Sequence, residues 1–270
     1  MTGWTEAPPA SIVVETTSPD ATTWSTLDSL FVLLGAFLIY IVGSVIVGVI
    51  DFGIEGRHIG FWLIPASYLF LTGGTYFMAT WWLIGRRQAT WRSIGFRLPQ
   101  RRSWLAGVGK ILLVAFVAFI CIEIGSDIIV GLFNMTSFHI KSNVKELLPP
   151  GQSTIDLGQY LVLVAIGAVV APITEETLFR GVVYQGMRRD GSRPLGSIVG
   201  IIVAAVASGF LFGAFHLIGG SQELYTLPLL AFLGVVLAFA FQYADSLAAS
   251  IIVHAVVNFS SITYLFAHTH

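Results

Sequence analysis

The sequence predicts an all-α protein, a polytopic bundle of about seven transmembrane helices. Hydrophobic residues make up 55% of the 270 positions and charged residues only 11%, against about 25% charged in soluble domains. Mean hydropathy is +0.81. Apolar runs long enough to cross a bilayer recur along the chain, and the basic residues collect in two of the connections between them.

Composition also excludes some functions. A net charge of −1 provides no electrostatic footprint for nucleic acid. Cys121 is the single cysteine and lies in an apolar run, so neither a disulfide framework nor a thiolate metal cluster is available. Six histidines leave a His/Glu/Asp site open.

Residues 1–28 are polar and contain Glu6, Glu15, Asp20 and Asp28 but no Lys or Arg. They read as a disordered tail without the basic start of a secretory signal, ahead of an integral membrane domain over 29–267. Span one is 29–50. Span two, 61–84, ends in the interfacial pair Trp81-Trp82. The basic connection that follows mixes Trp, Phe and Arg over 90–99, as an interfacial segment does. Span three, 104–133, exceeds the bilayer and holds Glu123 and Asp127, read as interfacial carboxylates. Residues 134–156 form the longest loop; 134–136 match a glycosylation sequon, which counts only in a eukaryotic secretory context. Span four, 156–187, is expected to kink at Pro172 and to end in a turn at 190–194. Spans five to seven are 195–217, 226–243 and 246–267.

Placement of Lys and Arg sets the expected orientation. With the N-terminus cytoplasmic, the 86–110 and 180–193 segments hold eleven of the fourteen basic residues, leaving only Arg57, Lys141 and Lys145 outside.

The apolar run 161–170 leads directly into Glu175, Glu176 and Arg180. Ionisable groups at that depth are expensive and usually face a bundle interior. Glu176 and Arg180 are i,i+4 and pair along one face, while Glu175 points about 100° away at helical pitch. One carboxylate is thus held in an ion pair and the other is free for chemistry. Phe212 and His216 share a face of span five, where Gly209 and Gly213 allow close helix contact. His254 and Asn258 share a face of span seven. Each polar group avoids a penalty in lipid only if they meet at one buried site. Measured from a turn at 190–194, however, Glu175 and His216 differ in depth by about 10 Å at helical rise, so the chain must bend somewhere.

These three motifs together resemble the CAAX-protease and bacteriocin-processing (CPBP, or abortive-infection) family of intramembrane endopeptidases. Its EExxxR, FxxxH and HxxxN motifs correspond to Glu175-Glu176…Arg180, Phe212…His216 and His254…Asn258, and its short GF element to Gly95-Phe96. The resemblance covers about 90–262. It implies a glutamate-activated water, with Glu175, His216, His254 and Asn258 catalytic and Glu176, Arg180 and Phe212 in support. It leaves two schemes open: glutamate alone, or zinc held by Glu175, His216 and His254. The implied substrate is a membrane-associated peptide, of prenylated CAAX type or a small peptide, and the implied location a prokaryotic plasma membrane. The chemistry stands without the resemblance, since a carboxylate away from bulk water is a better base and an imidazole N–H or the Asn258 amide can stabilise an oxyanion. Two other readings use the same residues: a proton- or cation-coupled transporter, against which no inverted repeat is visible, and a non-catalytic immunity or scaffold member of the family.

Overall fold

The computed structural model describes residues 21–55, 63–97, 103–135, 154–218 and 226–268. Among these no strand occurs, and the helices are α1 (Thr26–Glu55), α2 (63–87), α3 (Trp91–Ile94), α4 (Trp104–Asn134), α5 (157–195), α6 (Ser197–Ile218), α7 (Leu227–Ala244) and α8 (Leu247–His268). Six of them, all but α2 and α3, are long and apolar enough to cross a membrane by length and composition. The expected second span corresponds to α2, which passes from α-helix into π-helical turns over Ala79–Ile84. The loop expected at 134–156 and the basic residues 57, 141 and 145 lie largely or wholly outside the described residues.

α5 is the central helix. Every residue from 174 to 186 is buried, which explains why this stretch tolerates no lipid-facing polarity. Asp156 starts it with a capping box, its carboxylate accepting from the Gln159 N–H at 2.8 Å. In an apolar solvent the packing of helices rests on close contact rather than on hydrophobic exclusion, and α6 and α7 meet through glycine. A Cβ on Gly209 would sit 2.7 Å from the Ala231 carbonyl, and one on Gly234 2.6 Å from the Gly209 Cα. The Gly209/Gly213 seam thus faces α7.

One expectation changes. The turn predicted at 190–194 is helix: α5 continues through Pro194 to Leu195, and the reversal falls on Gly196, whose φ of +79° suits glycine. Glu175 now lies twenty-one residues before the reversal and His216 twenty after it. Each is about 30 Å along its helix, and the depth mismatch disappears. Within the stretch expected as tail, Trp24 is fully buried and donates from Nε1 to the Val182 carbonyl at 3.0 Å. Asp28 accepts from Trp82 and pairs with Arg87 at 2.7 Å.

The segment before α4 couples α5 to α8. Thr90 and Ser93 cap α3 reciprocally, and Gln185 on α5 donates to the Ser93 carbonyl at 2.8 Å. Gly95, at φ +120°, turns its carbonyl to accept the Leu247 N–H at 3.0 Å. The start of α8 is thereby fixed against the GF element, two turns before His254.

Candidate active site

The local sequence of α5 creates an unmet carbonyl. Residues 164–170 are π-helical, and the Ala171 N–H bonds back to Ile166. The next residue that might serve the Gly167 carbonyl is Pro172, which has no N–H. Asn258 on α8 fills the gap, donating from Nδ2 to Gly167 O at 2.7 Å. Asn258 therefore ties α8 to the break in α5. One of its two amide hydrogens is thereby committed to the backbone, and the second is the one that the expected oxyanion role would use. Replacing Asn258 by Leu should destabilise the protein by about 1–3 kcal/mol, the usual cost of an orphaned buried acceptor. Asn258→Asp should do so as well, because a carboxylate cannot donate; thermal unfolding in detergent measures both.

One turn further, Glu176 and Arg180 form the expected pair at 2.8 Å with both side chains fully buried. The guanidinium also donates to the Gly234 carbonyl at 3.1 Å and lies 4.6 Å over the Phe212 ring. Being buried here, Arg180 leaves the count of interfacial basic residues. Glu176 Oε1 has a second partner that helical spacing could not reveal, His254 Nδ1 at 2.9 Å.

Glu175 stands at the centre. Its Oε2 is 3.7 Å from His216 Nε2 and 3.7 Å from His254 Nε2, and is buried without a hydrogen bond. Its other oxygen, Oε1, accepts from the Tyr68 hydroxyl of α2. The tautomers follow from the remaining partners. His216 Nδ1 faces the Phe212 carbonyl at 2.9 Å, which only accepts, so that nitrogen carries hydrogen. His254 Nδ1 faces a carboxylate and does the same. Each neutral ring then turns an Nε2 lone pair toward Glu175 Oε2. Three acceptors surround one gap, too far apart for direct hydrogen bonds and suited to a shared donor between them. The gap opens into a cavity of about 310 Å³ with largely apolar walls, among them Pro65, Leu163, Ile166 and Leu233, and with Tyr68 and Asn258 at its edge.

Of the residues singled out in the sequence, the structure brings Glu175, His216 and His254 together around one gap. Glu176, Arg180 and Phe212 stand behind them, and Asn258 sits one turn away. Sequence reasoning missed Tyr68. A signal existed: Tyr68, Thr72 and Tyr76 recur at i, i+4 and i+8 in a span without charge. Glu175, His216 and His254, the three side chains expected to hold zinc if a metal is used, are the three that line the gap. Among the described residues, no group of three or more His, Cys, Asp or Glu side chains is placed to hold one ion.

A carboxylate and two imidazoles thus surround a buried gap inside a multi-pass helical bundle. Residues 157–260 match the model of the Rce1-like family, type II CAAX prenyl endopeptidases. No curated protein and no solved structure matches the chain.

Proposed function

We propose that the protein hydrolyses a peptide bond of a membrane-associated substrate, using a water activated by Glu175. The observation that carries this is the unpartnered Oε2 of Glu175 between two imidazole nitrogens. A water in the gap gives a proton to Oε2 as its oxygen adds to the carbonyl carbon. The tetrahedral oxyanion then needs a donor. In this scheme His254, which lies beside both carboxylates, passes from its neutral form to one with a second proton, at Nε2. His254 Nε2–H is then the oxyanion donor, and Glu175 returns its proton to the departing amine as the C–N bond breaks. The apolar walls suit a substrate presented from the bilayer, of prenylated CAAX type or a small peptide.

The test incubates the purified protein in lipid nanodiscs with a farnesylated CAAX peptide and its unprenylated form, with and without EDTA. Release of the C-terminal tripeptide is followed by mass spectrometry. Cleavage by the wild type and not by Glu175→Gln supports the reading. Activity lost to EDTA and restored by zinc would replace the carboxylate-only scheme. No hydrolysis, with proton flux across vesicles, would favour the transporter.

The proposed orientation, with the N-terminus in the cytoplasm, is supported by the placement of Lys and Arg alone. In a Cys121→Ser background, a cysteine at position 99 should be labelled from the cytoplasmic side and one at position 145 from the outer side. The reverse pattern overturns the orientation.

A further inference from the structure

The residue that holds Glu175 from behind comes from outside the stretch that matches the family. Tyr68 lies on α2, and residues 157–260 alone carry the family match. The phenol is the donor, because a carboxylate oxygen can only accept.

Below it, two more pairs join α2 to α5 in a fixed sense. Thr72 Oγ1 spends its hydrogen on the Tyr68 carbonyl at 2.9 Å, so it accepts from Thr174 Oγ1 at 3.0 Å. Thr177 Oγ1 spends its own on the Ile173 carbonyl at 2.7 Å, so it accepts from the Tyr76 hydroxyl at 3.4 Å. Each hydroxyl has a single hydrogen, and the ladder therefore sets the register of α2 against α5. Tyr68 is at its top, on the wall of the cavity.

A carboxylate has two equivalent oxygens and a soft terminal torsion, so nothing in Glu175 itself selects which oxygen meets the water. We propose that Tyr68 is a positioning residue for the reaction: it fixes Oε1 of Glu175 and so presents Oε2 to the gap between His216 and His254. The inference rests on the reading of Glu175 as the base.

Tyr68→Phe removes one oxygen and keeps the ring. It is expected to lower kcat about tenfold to a hundredfold, the effect of losing a hydrogen bond to a charged group, with KM changed less than about twofold. Tyr76→Phe, on the same face but paired only with Thr177, should leave both unchanged. A second readout does not need turnover. Labelling of Glu175 by a hydrophobic carbodiimide, which attacks protonated carboxyls, is measured by mass spectrometry on membrane vesicles before extraction. It should be faster in Tyr68→Phe and unchanged in Tyr76→Phe.

An unchanged kcat in Tyr68→Phe, or unchanged labelling, overturns the inference. A raised KM at constant kcat also overturns it, since that would make Tyr68 a substrate contact. If the wild type hydrolyses no peptide, the assignment of Glu175 as base falls. Faster labelling would then still support Tyr68 as the group that holds the carboxylate, and unchanged labelling would remove that too.

Discussion

Glu175→Gln is expected to abolish peptide hydrolysis, with a loss of at least about a thousandfold, while membrane yield and melting temperature stay at wild-type values. The amide has the shape of the carboxylate. Its oxygen can still accept from Tyr68, and its nitrogen then lies toward the two imidazole Nε2 atoms rather than a void. What disappears is the ability to take a proton from water, a contribution worth about 10²–10⁴-fold in positioned general bases. The intact donor set behind it, His254 on Glu176 and His216 on the Phe212 carbonyl, is untouched. Cleavage assayed by mass spectrometry beside the purified yield separates chemistry from folding. Near-wild-type turnover would transfer the role of base to Glu176, even though its Oε1 already serves both Arg180 and His254.

Much of this site was legible because it is local. Glu176 with Arg180, Phe212 with His216 and His254 with Asn258 are all i,i+4, and a helix inside lipid can hardly do other than keep such pairs on one face. The rest is not local. Glu176 reaches His254 across seventy-eight positions and Tyr68 reaches Glu175 across one hundred and seven; no spacing rule on one helix reports such contacts. Polar composition misled at 190–194, where Asp190, Gly191 and Pro194 look like a turn. A helix that has left the bilayer can be as polar as a turn, and Gly196 alone has the backbone that reverses the chain. The role of Asn258 was hidden for a different reason. Its partner is a backbone carbonyl on α5 freed by a proline five residues further along that helix, and only the combination of Pro172 with a π-helical stretch exposes it.

The ion pair behind the base should separate stability from activity. Arg180→Leu leaves Glu176 as a buried charge with only the His254 N–H beside it, and empties the space over Phe212. Glu176→Gln leaves Arg180 fully buried with the Gly234 carbonyl as its remaining strong acceptor. Breaking one side of a buried pair costs about 3–5 kcal/mol, whereas replacing both sides by neutral groups of similar size is often close to neutral. Either single change is therefore expected to reduce membrane yield and lower the melting temperature in detergent, and the double variant Glu176→Gln/Arg180→Met to recover much of both. Activity should not recover with it. In the double variant His254 Nδ1 faces an amide in place of the carboxylate that charged and oriented the ring, so the imidazole no longer presents a proton at Nε2 to the developing oxyanion. Recovery of stability together with full turnover would show that Glu176 and Arg180 serve the fold alone, and that His254 needs no carboxylate behind it.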